Sequence, residues 1–223
     1  MNRKQEGFTL VEIAIVLVII GLLLGGILKG QEMITQAKIK NVIADMSGVS
    51  AAMYGYQDRY RALPGDDKNA TRWALTPPLT SGNGVIEGKY IDVAGAETML
   101  FWDHLRRAGF VSGSGADNPF NAVSGKMGVQ TSDGTAPGSA TFAAGILSDG
   151  AATPTVFTAL VLCSANLPDK VAISVDSQMD DGDGKKGNVR AMKQDAPNPA
   201  TIAAAAATYS EDGVSTYLVC RQM

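Results

Sequence analysis

A few residues in this sequence stand out because their type and position together could carry out chemistry. They are Glu12, His104, the pair Cys163 and Cys220, and the acidic residues Asp176, Asp180, Asp181 and Asp183. The sequence offers almost no residues for a Ser-His-Asp triad or a multi-histidine metal site, because His104 is the only histidine in the chain. No nucleophile–base pair or phosphate-binding loop stands out, so the sequence favours a structural role over an enzymatic one, with His104 as a surface or packing residue.

The two cysteines are far apart in the chain, and neither belongs to a Cys-x-x-Cys pair. This spacing is poor for zinc, which prefers clustered ligands. It suits a single disulfide between Cys163 and Cys220 if the domain faces an oxidising compartment. The alternative is two free, buried thiols.

The most acidic stretch of the chain is 176–184. Clustered carboxylates separated by glycines can bind calcium, so its four aspartates are candidate ligands. No EF-hand register fits, because a loop starting at Asp181 would place Lys185 at a ligand position and has no glutamate at its twelfth position. A solvated acidic turn is the favoured alternative, and no other cofactor is expected.

The overall charge argues against nucleic acid as a partner. The 223-residue chain has a formal net charge of −3 and no Lys/Arg-rich stripe. This length accommodates one domain with an appendage, or at most two small domains. The apolar residues are unevenly spread, and many of them form one block near the N-terminus.

That block could cross a membrane. From Phe8 to Leu28 the chain reads FTLVEIAIVLVIIGLLLGGIL. As a helix this segment is about 32 Å long, and a hydrocarbon core is about 30 Å thick. The positive charges of Arg3 and Lys4 predict a cytoplasmic N-terminus and a translocated C-terminal body. An ordinary secretory signal has a shorter apolar stretch and a small-residue break after it, which this segment lacks.

The single charge in the span, Glu12, distinguishes it from a plain membrane anchor. A carboxylate at that depth costs about 2.5–3.5 kcal/mol on insertion scales, so it should have a partner. Cleavage between Gly7 and Phe8 would create a cationic amine on Phe8 at a similar depth. Glu12 could pair with this amine in an axially shifted neighbouring subunit, which would neutralise both charges and select the register of assembly.

The run Gly7-Phe8-Thr9-Leu10-Val11-Glu12, between a short basic leader and an apolar span, resembles the processing motif of type IV pilins and type II secretion pseudopilins. The resemblance implies cleavage at Gly7–Phe8 by a prepilin peptidase, N-methylation of Phe8, and assembly guided by Glu12. It implies three kinds of partner: identical or related pilin subunits, the peptidase, and inner-membrane assembly machinery. Major pilin, minor pilin and pseudopilin remain alternatives within this interpretation.

The same resemblance bears on three other features. Many pilins close a C-terminal loop with a disulfide, which supports the Cys163–Cys220 pairing. Some pseudopilins carry calcium in their C-terminal loops, without residues that match this chain. Lys29 stands where many pilins have a helix-kinking proline, so Gly25 and Gly26 are the candidates for flexibility instead.

Beyond the span, the chain keeps a helical pattern with one apolar stripe. Its members recur at alternating spacings of three and four residues: Ile39, Val42, Met46, Val49, Met53, Tyr56 and Tyr60. This pattern predicts one long helix over Phe8–Tyr60 whose second half is the spine of a globular domain. A coiled-coil seam is the alternative. Pro64 ends the helix, since proline disfavours helical backbone before it.

The rest of the chain mixes short elements with loops. The segment Glu97–Gly109 has the pattern of an amphipathic helix with Gly109 at its C-terminal end. The apolar, β-branched segments Val156–Cys163 and Val214–Cys220 are the best strand candidates, and Ala140–Leu147 is a third. The five-alanine run Ala203–Ala207 is either a short helix or a small-residue contact.

Together with the resemblance to pilins, these patterns predict an α+β fold; the resemblance implies that the long N-terminal helix packs on a C-terminal antiparallel sheet. The expected segments are a leader (1–7), a transmembrane half of the helix (8–28), an amphipathic half (29–60) and a globular extracytoplasmic domain (61–223). We expect a structural filament subunit that begins as a single-pass inner-membrane precursor and ends in an extracellular or periplasmic filament. The alternative is a membrane-anchored extracytoplasmic binding protein or enzyme with an uncleaved anchor.

Overall fold

A computed structural model of the chain describes residues 9–137, 139 and 145–223. Its first element is helix α1, Leu10–Tyr60. The helix ends where Arg61 adopts a left-handed conformation (φ 55°), a common way to terminate a helix, and Pro64 follows shortly after. The long helix predicted from the sequence is therefore confirmed within the described residues.

The chain divides into two compact units between Lys38 and Ile39. In the first unit, the described residues of α1 are almost all exposed. In the second unit, α1 buries one apolar face: Ile39, Val42, Met46, Val49, Ala52, Met53 and Tyr56. These side chains belong to the main hydrophobic core, against which Tyr60 is partly buried. The stripe is thus the spine of a globular domain rather than a coiled-coil seam.

The second unit contains a four-stranded antiparallel sheet in the order β1-β2-β4-β3. Its strands are β1 Met127–Thr131, β2 Leu160–Pro168, β3 Val189–Lys193 and β4 Thr216–Gln222. The last strand in sequence, β4, lies between β2 and β3. The predicted α+β class, with a long N-terminal helix packed on an antiparallel sheet, is confirmed.

The sheet separates two apolar clusters because alternate strand residues face opposite sides. Leu162 of β2 and Val219 of β4 face the main core, together with the buried face of α1. Cys163 and Cys220, the next residues along each strand, belong to a second cluster with Tyr90.

Two further helices flank the sheet. Helix α2, Glu97–Arg107, ends with Gly109 in the left-handed region (φ 81°). The Gly109 and Phe110 amides donate to the carbonyls of Arg106 and Leu105, which is the Schellman pattern of helix termination. Helix α3, Asp169–Met179, follows β2 directly and packs its apolar side chains into the main core.

The structure corrects several details of the sequence prediction. The strands predicted to end at Cys163 and Cys220 continue to Pro168 and Gln222 and start later than expected, because pairing between β2 and β4 extends through polar residues. Most of the predicted strand Ala140–Leu147 lies outside the described residues, and Ile146 forms an isolated bridge with Phe157.

The alanine run forms a contact rather than a helix. Ala205 bridges Ser148, and Ala206 is buried against the second cluster. Helix α3 and strands β1 and β3 were not predicted, since none of them has a long apolar pattern.

Candidate functional site

The first turn of α1 is closed by a reciprocal pair of side chains. The Thr9 backbone N–H and hydroxyl each donate to Glu12 Oε2 at 2.8 Å, and the Glu12 N–H donates to Thr9 Oγ1 at 3.3 Å. This is a capping box, which satisfies amides that have no partner within the helix. The predicted cleavage and methylation residues, Gly7 and Phe8, lie outside the described residues.

Helix α1, which begins with this turn, is by length and composition long and apolar enough to cross a membrane. The most apolar 18-residue window of α1 is wholly unburied within the chain. The first charges after the span are Lys29 and Glu32, which form an exposed ion pair at 2.7 Å. Glu12 is therefore the one acid in the apolar segment Thr9–Leu28.

Glu12 has no cationic partner within the part of the chain that the structure describes. Its carboxylate accepts hydrogen bonds only from Thr9 among residues 9–137, 139 and 145–223. The capping box leaves the negative charge uncompensated, although it stabilises the helix N-terminus, where the macrodipole favours an anion. In a membrane this arrangement attracts a cation from outside the described residues.

The two cysteines form a disulfide, as expected from the sequence. Cys163 and Cys220 are register partners at the centre of β2 and β4, with their Cα atoms 4.0 Å apart. Both residues are fully buried, on the sheet face that does not contact α1. The bond joins the two central strands of the sheet and closes a loop with a sequence separation of 57 residues.

Three of the four aspartates predicted as calcium ligands come together at the end of α3. One oxygen from each of Asp176, Asp180 and Asp181 lies within 4.8 Å of the others. Asp183 instead forms an ion pair with Lys186 at 2.9 Å.

Most of this acidic cluster is already hydrogen-bonded. Asp176 accepts a hydrogen bond from Tyr209 Oη at 2.7 Å, and Asp180 accepts one from the Val189 N–H at 3.0 Å. Burial, together with the charges of Asp180 and Asp181, raises the pKa of Asp176 to about 6. Calcium binding stays a prediction, and following the melting temperature during a calcium titration would test it.

His104 is a packing residue within the second unit. Its ring stacks on Tyr56 at a centroid distance of 6.1 Å, and its Nδ1 accepts a hydrogen bond from the Gly65 N–H at 2.9 Å. Burial lowers the pKa of His104 to about 4, so the imidazole is neutral at neutral pH. It helps to hold the turn after α1 against α2.

Sequence reasoning missed several buried polar residues that organise the loops. Arg190 on β3 donates to the carbonyls of Leu147 and Thr155, both at 2.8 Å, and lies over the Phe157 ring. Asp66 accepts hydrogen bonds from backbone amides of the 82–84 turn. No local pattern marks these residues, because their partners are distant in sequence.

Comparison with known proteins identifies one feature. A family model described as "Prokaryotic N-terminal methylation motif" matches residues 2–28. No curated protein and no solved structure gave a match to the chain. The matched range contains the Gly7–Phe8 bond, Glu12 and the apolar span, which are the residues that carried the resemblance. At its N-terminus the chain thus bears the methylation motif of type IV pilin and pseudopilin precursors.

Proposed function

We propose that this chain is a structural subunit of a type IV pilus or a pilus-like filament. A prepilin peptidase cleaves it between Gly7 and Phe8, Phe8 is N-methylated, and the subunit assembles through α1. Before assembly the chain is a single-pass protein of the inner membrane, and afterwards it belongs to an extracellular or periplasmic filament. Its partners are identical or related subunits and the assembly machinery.

The observation that carries this proposal is the uncompensated carboxylate of Glu12 in an apolar helix. The capping box with Thr9 provides hydrogen bonds to this carboxylate but no positive charge. The amine released on Phe8 by cleavage would supply the charge, and pairing between neighbouring subunits would neutralise both groups where the dielectric constant is low. A plain anchor has no need of an acid there.

The second unit is consistent with a location outside the cytoplasm. Its sheet is joined by the disulfide between Cys163 and Cys220, a bond that forms and persists in oxidising compartments. The alternative function, a membrane-anchored binding protein or enzyme with an uncleaved anchor, shares this feature. The two functions differ in whether the Gly7–Phe8 bond is cleaved.

The N-terminus of the mature protein separates these alternatives. We expect intact-mass measurement and N-terminal sequencing of protein from the native host to find a chain that starts at methylated Phe8. A chain that retains Met1 would support the anchored alternative, whereas one that starts after Leu28 would have lost the span altogether, as after ordinary signal cleavage. Either result would refute the filament proposal.

A second experiment tests the role of the acid itself. Glu12→Ala should leave membrane insertion and cleavage intact while strongly reducing the yield of filaments sheared from cells. Glu32→Ala is the matched control, because Glu32 lies on the same helix beyond the apolar span and is exposed. A normal filament yield from Glu12→Ala would show that the proposed pairing is not needed.

A further inference from the structure

Asn83 is the only asparagine in the chain that is followed by glycine. In such a pair the Gly84 amide nitrogen can attack the side-chain carbonyl carbon of Asn83, since glycine has no Cβ to hinder the approach. The new N–C bond closes a five-membered imide as the bond from carbon to Nδ2 breaks, and ammonia leaves with the amide proton. Water then opens the imide to aspartate or isoaspartate.

The attacking nitrogen is held by a buried acid. The Gly84 N–H donates to Asp66 Oδ2 at 2.7 Å, and the Asn83 N–H donates to Asp66 Oδ1 at 3.2 Å. Asp66 is only 3% exposed, whereas Asn83 and Gly84 are both exposed to water. Hydrogen bonds to a charged acceptor are stronger than those between neutral groups. The two bonds to Asp66 therefore fix the peptide plane between Asn83 and Gly84.

Both ends of the Asn83 amide are held as well. Its Oδ1 accepts a hydrogen bond from the Val85 N–H at 2.8 Å, and its Nδ2 donates to Glu87 Oε1 at 2.9 Å. Ring closure requires the Gly84 nitrogen to leave Asp66 and turn towards the side-chain carbon of Asn83. The turn must open before the reaction can proceed.

We propose that Asn83 is a site of spontaneous deamidation and that Asp66 restrains the reaction by holding the Gly84 amide. The co-reactant is water, which the exposed turn admits freely. Deamidation replaces the Nδ2 donor with a carboxylate oxygen opposite Glu87, where two like charges repel. The product therefore weakens the turn that slowed its formation.

The rate is measured on the full chain in detergent at pH 8 and 37 °C. The tryptic peptide 73–89 contains Asn83 as its only asparagine, so its gain of one mass unit reports this site alone. We expect native protein to deamidate at least about tenfold more slowly than the same chain in urea, which corresponds to about 1.4 kcal/mol. Equal rates in the two conditions would overturn the proposal.

Asp66→Asn tests the role of the acid, and we expect it to speed deamidation at Asn83 at least fivefold, or about 1 kcal/mol. Asp169→Asn is the matched control, because the buried Asp169 holds the Gly213 amide at 2.6 Å in the same way at another turn. An unchanged rate in Asp66→Asn, or an equal acceleration in Asp169→Asn, would refute the assignment.

Hydrogen exchange provides a test that does not depend on the folding of a variant. In the unaltered chain the Gly84 amide should exchange at least tenfold more slowly than the rate for an unstructured peptide, although Gly84 is exposed. Exchange at the unstructured rate would show that Asp66 does not hold this amide, and would overturn the proposal.

Discussion

Replacing both cysteines tests how much the disulfide stabilises the second unit. The double variant Cys163→Ala/Cys220→Ala opens a loop with a sequence separation of 57 residues. The chain-entropy relation gives a loss of about 4 kcal/mol at 25 °C for a loop of this size. Because both residues are fully buried, removing the sulfur atoms adds a cavity cost of about 1 kcal/mol. We expect a total loss of about 4–5 kcal/mol in the free energy of unfolding.

Urea unfolding in detergent, followed by tryptophan fluorescence, measures this loss. Trp102 is fully buried on α2, so its emission reports the packing of the second unit. The m-value should rise in the double variant, because an unfolded chain without the crosslink exposes more surface. Wild-type protein reduced in urea is the control, and its stability should lie within about 1 kcal/mol of that of the double variant.

A loss below about 1 kcal/mol with an unchanged m-value would refute a stabilising role of the crosslink. That result would mean that the bond between β2 and β4 does not constrain the unfolded chain. A large loss in the double variant, without a matching loss in the reduced wild type, would instead assign the effect to packing of the sulfur atoms.

Three further predictions concern buried polar groups and close approaches. Arg190→Met should cost about 3 kcal/mol in urea unfolding, because it removes three hydrogen bonds of 2.7–2.8 Å from a charged donor, and Arg190→Lys should recover part of the loss. Gly128→Ala should cost about 1–3 kcal/mol, since a Cβ there would clash with the Tyr90 carbonyl oxygen, whereas Gly48→Ala, with nothing within 4 Å, should be neutral or stabilising. Asp176 has a folded-state pKa of about 6, so the folded state binds more protons than the unfolded state between about pH 4 and 6 and loses stability as the pH rises through that window. In EDTA, Asp176→Asn should lack this part of the pH dependence, and identical slopes for variant and wild type would contradict the assignment.

Prediction from the sequence succeeded where a feature is local or periodic. The stripe from Ile39 to Tyr56 has the period of a helix, so its burial followed from spacing alone. Gly109 ended α2 as expected, because the left-handed residue that closes a Schellman turn is usually glycine. Glu12 stood out because a charge within an apolar span is costly wherever it occurs.

The remaining features depend on partners that are distant in the chain. Strand β3 contains Arg190 and Lys193 among five residues, and it becomes a strand because it pairs with β4. Arg190 is buried because its guanidinium finds carbonyl groups of the 147–155 segment, which no spacing rule predicts. The predicted acidic turn overlaps the end of helix α3, because Asp176 lies in the last turn of the helix and the other aspartates follow it directly in the chain.

The position of β4 within the sheet bears on how the chain would fold if it is exported as proposed. The strand is the last in sequence, yet it provides the partner edge for both β2 and β3. A chain that emerges N-terminus first can therefore form the β1–β2 pair early, but β2 keeps one open edge until residues near Cys220 arrive. Such long-range pairing is slow, and unpaired edges promote aggregation. On the proposed route of export, we therefore expect the chain to need shielding, by a chaperone or by the membrane surface, until β4 has crossed the membrane.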